Sequence, residues 1–280
     1  ELRKVIPSFL ERVDREDRGI VWSEYLQETR EDTADVVAAL FPEGSIVDPS
    51  PTVRLVDFDP EGEVKMIASM MYPHSTMSED QLERRVAGMN HEDRMAVARA
   101  YVGDRRNRRH KPGRALERPF YRFDVLVDYG AFRDLQRHRM LSMDWQNLSP
   151  HHGYISSPLV NAAGMGSVYE EAMERSAALY DLLVDDFPDQ ASYAINLAYK
   201  IRFNMNINAR SAMHLIELRT TPQGHPSYRE VGQEMHRLIA EEAGHSVISE
   251  MMKFVDHTDE TDLERLQSER RAQEKRQSTE

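Results

Sequence analysis

The chain has 280 residues, enough for one large domain or two ordinary ones with a sizeable core, and its 40% hydrophobic and 30% charged residues are the balance of a soluble globular protein. It holds no cysteine, which excludes disulfides, thiolate zinc sites, iron–sulfur clusters and a cysteine nucleophile, and fits a reducing cytoplasm. A net charge of −12 argues against a broad nucleic-acid-binding surface, and no apolar run approaches the ~20 residues of a membrane span.

Residues 1–50 read as a polar, helical extension, in which Thr33 to Leu40 has helical apolar spacing and stops before Phe41-Pro42. The first residue is Glu1, so the sequence reads as a processed product or an excerpt of a longer protein. Pro49 and Pro51 mark a break. Val53 to Phe58 alternates like a strand, Asp59-Pro60-Glu61-Gly62 is turn chemistry, and Val64 to Tyr72 predicts a helix whose Met66, Met70 and Met71 face core or another subunit. Ser78-x-x-Gln81 predicts a capping box at the next helix. Arg105 to Arg118 is dense in cations and reads either as a local anion site or as a solvated basic loop.

Phe120 to Val127 predicts a strand, with Asp128 capping a helix from Tyr129 to about Arg139. Residues 145–167 predict a long loop, followed by helices over 167–186, 189–204, 207–218 and 226–254. The domain is then 51–257, and 258–280 is a charged tail. Strands early and helices late predict an α+β fold, a small antiparallel sheet with a mostly helical C-terminal half.

Two clusters carry the chemistry. Arg137-His138-Arg139 closes the predicted 129–139 helix. It reads either as charge pairing with the helix C-terminus or as a site for a pyrophosphate or the polar edge of a cofactor ring. In Asn208 to Arg219, Arg210, His214 and Glu217 share one helix face among apolar neighbours. That polar stripe is satisfied either by an anionic cofactor or by a network within the helix. Glu242-x-x-His245 has the helical spacing of half a di-metal motif, but the second half is missing.

The stretch Leu116 to Phe123, then Arg133-Asp134-Leu135-Gln136-Arg137-His138-Arg139-Met140-Leu141-Ser142, resembles the strand, helix and Arg-His-Arg-x-x-Ser signature of the flavin-dependent thymidylate synthase family. Asn208 to Arg219 is similar to that family's second helix at matching spacing. The resemblance spans about residues 53–255. It implies a homotetramer that binds FAD between subunits and methylates dUMP, or a related uracil nucleotide, using methylenetetrahydrofolate and NADPH. It further implies that Arg137, His138, Arg139, Asn208, Ala209, Arg210 and His214 contact FAD. Asp134, Gln136, Arg137, Ser149, His151 and Arg219 then face the nucleotide, with Arg219 holding the uracil ring and stabilising its deprotonated N3.

The departures from the family pattern lie on the nucleotide side. Asp134 stands where the family has Gln, Ser149 and His151 fit only a shifted alignment, and Ser192 stands at a phosphate-binding arginine. The alternative expectation is therefore a degenerate domain that binds FAD, or only assembles with an active copy in a longer two-copy chain.

Overall fold

The computed structural model describes residues 1–11, 13–41, 51–258 and 264–277. Contacts within the chain divide it into two units, Glu1–Pro49 and Ser50–Glu280. Pro49, one of the two prolines of the predicted break, lies outside the described residues.

The first unit has short helices at Leu2–Val5 and Pro7–Leu10 and a long one at Ile20–Leu40, and none of its described residues is buried. In the long helix Trp22 and Tyr25 lie with ring centroids 5.6 Å apart, and Thr29 and Thr33 donate to carbonyls one turn earlier. The expected helix at 33–40 is its last two turns.

The second unit is built on a four-stranded antiparallel sheet in the order β1-β2-β4-β3, with β1 Val53–Phe58, β2 Phe120–Asp128, β3 Ser142–Trp145 and β4 Lys200–Asn208. Strict alternation makes one face apolar. Leu55, Tyr121, Phe123, Val125, Ile201, Phe203, Met205 and Ile207 are buried, while Arg54, Arg122, Asn204 and Asn206 point to solvent. A bulge between Leu55 and Asp57 lets β1 stay paired with β2. Onto the apolar face pack the helices Gly62–Met71, Glu79–Ala87, Ala209–Arg219 and Pro226–Glu241, whose Met66, Ile67, Leu82, Met213, Ile216 and Met235 share one core with the strands. Each such side chain contributes roughly 1.5–3 kcal/mol by leaving water. The α+β reading holds, and Met66 and Met70 are core residues of this unit.

Local signals set most boundaries. Ser78 and Gln81 form the predicted capping box. Asp128 caps the helix after β2, accepting from Ala131 N–H at 2.9 Å, and Asn208 caps the helix after β4, accepting from Ser211 N–H at 2.9 Å.

Four expectations are corrected. The segment expected to be a helix at 189–204 is two short turns followed by β4, because Ile201, Phe203, Met205 and Ile207 have period two and fill the sheet's centre. The expected 145–167 loop is entered through β3, which ends at Trp145, and contains a short helix at Pro158–Ala162. Trp145 is largely exposed and tilts against Phe132 at 5.7 Å. The helix after Asp128 stops at Leu135, so Arg137-His138-Arg139 is not helical. The single helix expected over 226–254 is two, Pro226–Glu241 and Ser246–Met251, parted at Gly244, whose φ of 69° favours glycine.

The last split places Glu242 and His245 off any common helix. His245 is buried, with its Nδ1 2.8 Å from the Tyr121 hydroxyl, and no group of three or more His, Cys, Asp or Glu among the described residues is arranged to hold a metal. His236 and His257 meet with ring nitrogens 3.0 Å apart. Residues 264–277 of the charged tail are helical.

Candidate functional site

β3 is what brings the two clusters together. Ser142 pairs with Asn206 of β4, so the segment just before Ser142 runs beside the start of the helix just after Asn208. Arg137, His138 and Arg139 thereby face Arg210, His214 and Arg219 across one cavity of about 320 Å³. A third segment closes it, carrying Arg108, Lys111 and Pro112. Met140, Leu141, Ile207, Met213 and Leu218 supply apolar wall, and no Asp or Glu among the described residues lines the cavity. Such a set of donors with a partly apolar wall suits an anion joined to a flat ring system.

Three of the cations, Arg105, Arg210 and Arg219, are fixed by carboxylates behind the wall. Arg210 donates from Nε to the Pro112 carbonyl at 2.9 Å and pairs with Glu117 at 3.1 Å. Arg105 is buried and holds Glu217 with two hydrogen bonds of 2.7 and 2.5 Å. The expected network of Arg210, His214 and Glu217 within one helix is therefore absent, because Glu217 turns into the core to meet Arg105. The basic stretch 105–118 is likewise split: Arg105 touches the cavity wall but is spent on Glu217, whereas Arg108 and Lys111 line the cavity with no such pairing to Glu217.

Arg219 is held by both Asp134 and His138. Its Nη1 donates to Asp134 Oδ1 at 2.9 Å, its Nη2 donates to the Asp134 carbonyl, its Nε donates to His138 Nε2 at 3.0 Å, and its guanidinium lies 5.3 Å from the Tyr228 ring centroid. Accepting at Nε2 fixes His138 as the neutral Nδ1–H tautomer. Burial, then Arg219, His214 and Arg137, lower the His138 pKa to about 4. Burial, then Lys111, Arg108 and Arg219, lower that of His214 as well, and the two rings meet edge to face at 5.8 Å. At neutral pH the cavity thus offers permanent guanidinium charge and uncharged imidazole donors.

The remaining expected residues stand elsewhere or behind the wall. Asn208 is spent on its helix cap, and Ala209 is buried with its N–H on the Pro119 carbonyl at 2.9 Å. Asp134 and Gln136 are not among the lining residues, and Asp134 bridges two that are, Arg219 and Arg137. Ser149 and His151 do not line the cavity. Ser149 is buried and accepts from the His151 N–H at 3.4 Å, and the His151 ring meets Tyr180 at 6.0 Å, beside a separate small core of Met173, Tyr180, Ile195 and Tyr199. Arg108 and Lys111 are site residues that the two motifs alone did not single out. Their signal was the density of basic residues between 105 and 118.

The unit is thus an α+β domain with one covered sheet face and an arginine-rich cavity at the sheet's end. Comparison with known proteins gives the particular family. Residues 54–244 match the family described as thymidylate synthase complementing protein, and this chain belongs to it. The UPF0159 protein of Chlamydia pneumoniae is 38% identical over 273 residues, 97% of this chain and 50% of its own length. That of Chlamydia muridarum is 36% identical over 274 residues, 97% of this chain and 51% of its own. The chain spans about half the length of the curated relatives it matches. The fold matches Thymidylate Synthase X from Helicobacter pylori, solved with FAD and dUMP, at a TM-score of 0.50 and 17% identity, covering 72% of this chain and 98% of that one. It also matches the UMP/dUMP methylase PolB from Streptomyces cacaoi, bound with 5-Br dUMP, at 0.54 and 17%, covering 75% and 97%.

Proposed function

We propose that the cavity binds FAD and that the chain is a flavin-dependent, thymidylate synthase-like enzyme acting on dUMP or a related uracil nucleotide. The observation that carries this reading is the convergence of Arg137-His138-Arg139 with Arg210, His214 and Arg219 on one cavity free of acidic lining. Family membership and the fold shared with proteins solved with FAD, dUMP or its analogue support it.

The residues fit the cofactor by their chemistry. Arg210, clamped by Glu117, and Arg139 and Lys111, for which no carboxylate partner is recorded among the described residues, supply charge for a diphosphate. The neutral His138 and His214 rings and the Met140–Leu141 wall suit the edge and face of a flavin. When bound, the flavin would supply, from NADPH, the hydride that turns the transferred methylene into a methyl group. Arg219 would face the pyrimidine, and its fixed guanidinium favours the anionic ring, whose C5 would take the methylene from methylenetetrahydrofolate, with tetrahydrofolate and the C5 proton leaving and no enzyme nucleophile needed. The absence of cysteine fits that route.

A cavity of about 320 Å³ encloses only part of a dinucleotide, so the rest is held by a neighbouring subunit of a homotetramer. The exposed Leu159, Leu182, Phe187, Tyr193 and Leu197 offer apolar surface for such packing. Chromatography with light scattering checks this, and a monomer at micromolar concentration is the contrary result. The ligand and locale proposed include no nucleic acid and no membrane, with a cytoplasmic site of action. No helix among the described residues is long and apolar enough to cross a bilayer.

A second reading, a degenerate domain that binds FAD without turnover or assembles with an active copy, is favoured by Asp134 on Arg219 and by Ser149 and His151 lying apart from the cavity. One experiment separates the two. Purified protein incubated with FAD is scanned for flavin absorbance, then assayed for methylation of dUMP and UMP with methylenetetrahydrofolate and NADPH. Colour with turnover supports the enzyme, colour without turnover the degenerate domain, and a colourless protein sinks both flavin readings.

A further inference from the structure

The cavity's cations are neutralised unequally. Glu217 compensates Arg105 inside the core, and Glu117 compensates Arg210 from behind the wall. Asp134 differs from both because a single oxygen, Oδ1, is shared between two cations that both line the cavity, Arg219 and Arg137, whereas the second partner of Glu117, Arg114, does not line it. The two are held differently. Arg219 has 12% of its side chain exposed and is gripped by the Asp134 carboxylate, the Asp134 carbonyl and His138. Arg137 has 69% of its side chain exposed, and its recorded ion pair is to the Asp134 carboxylate alone. A partly buried carboxylate paired with an exposed guanidinium competes directly with any anionic group that the guanidinium would otherwise bind.

We propose that Asp134 is the specificity-determining residue of this cavity: an internal counter-ion that keeps Arg219 in place while lowering the affinity of the Arg137 end for anionic ligand groups. A phosphate arriving there must pull Arg137 away from Asp134. An uncharged ring placed against Arg219 meets a guanidinium already oriented by its bonds to Asp134 and His138. The cavity therefore favours ligands whose charge lies at the Arg139, Lys111 and Arg210 end and whose ring lies at the Arg219 end. This deepens the reading above, since it rests on the same cavity being the ligand site.

The sign of one substitution decides it. Asp134→Asn keeps the shape of the side chain and removes its charge. Inorganic pyrophosphate is the probe, titrated against the full chain at fixed pH and ionic strength by thermal shift and calorimetry. The D134N protein is expected to bind pyrophosphate about tenfold tighter than the parent, while D134E stays within about twofold of it. Adding Arg137→Gln to D134N is expected to cancel the gain. A merely structural role for Asp134 gives the opposite sign, because a loosened site binds every ligand less well. Unchanged or weaker pyrophosphate binding by D134N overturns the proposal, as does a gain that survives Arg137→Gln, or no binding by either protein. Flavin colour in the same preparations keeps this apart from the proposed function: flavin bound without any gain in anion affinity sinks the counter-ion role alone.

Discussion

Arg105 and Glu217 form a two-pronged ion pair inside the core, with 3% and 0% of their side chains exposed. The pair does more than join two elements. Arg105 also donates from Nε to the His110 carbonyl at 2.7 Å, so it pins the segment that delivers Arg108 and Lys111 to the cavity. Glu217 in turn accepts from Phe254 N–H at 3.4 Å, tying in the end of the domain. Breaking one partner leaves a charge stranded in the interior, which typically costs about 3–5 kcal/mol. Glu217→Gln should therefore lower the stability of the second unit by about that amount in urea titration, and should raise amide exchange over 105–111. A loss under about 1 kcal/mol would show that the pair is dispensable.

Arg210 is held from two sides, by the Pro112 carbonyl and Glu117, and projects into the cavity. Arg210→Ala is expected to lower flavin occupancy at least tenfold at fixed FAD, read from the ratio of flavin to protein absorbance. The two-site grip makes Glu117→Gln a milder version of the same defect. Full occupancy in Arg210→Ala would take this arginine out of the cofactor site.

Arg219→Ala separates binding from chemistry. The proposed cofactor contacts lie on Arg139, Arg210 and the two imidazoles, so the variant should keep its colour while losing methylation by about 10²-fold or more. Its effect on folding is expected to be small, because Asp134 keeps Arg137 as a partner. Turnover within tenfold of the parent would remove Arg219 from its assigned role.

Acid should weaken the fold through His138. Its pKa drops from the ordinary 6.5 to about 4, chiefly by burial and then by Arg219. As pH falls through 6.5 the unfolded chain takes up a proton that the folded chain refuses until about 4. Above about pH 7 the residue contributes no pH dependence. Between 6.5 and 4 stability declines, by at most about 3 kcal/mol from this residue, and by less because solvent still reaches the ring. His214, His236 and His245 are lowered in the same direction, each first by burial, and add to the slope. Urea midpoints at pH 7.5, 6 and 5 measure it, and His138→Gln should flatten the curve. An unchanged slope in that variant would mean that the other histidines carry the effect.

The chain read by itself settled what depends on neighbours in sequence. The capping box at Ser78, the cap at Asp128, the alternation of Val53–Phe58, the strand at Phe120–Val127, and the spacing within Arg137-His138-Arg139 and Asn208–Arg219 are local facts, each legible within a few residues, whereas the cap at Asn208 was not read from the sequence. The resemblance those two motifs carry was legible for the same reason. β4 was misread because the lone strand signal of Ile201, Phe203, Met205 and Ile207 sat between helical stretches, and period two decides only when flanking strands are there to pair with it.

What the tertiary structure alone decided was partnership. Nothing in sequence links Glu217 to Arg105, Arg219 to Asp134, or His138 to Arg219, since these pairs are separated by 112, 85 and 81 positions. The short strand Ser142–Trp145 turns two distant cationic motifs into one cavity by pairing with β4. A buried charge takes whichever counter-charge the packed core brings within reach, and backbone folding sets that distance where sequence spacing does not.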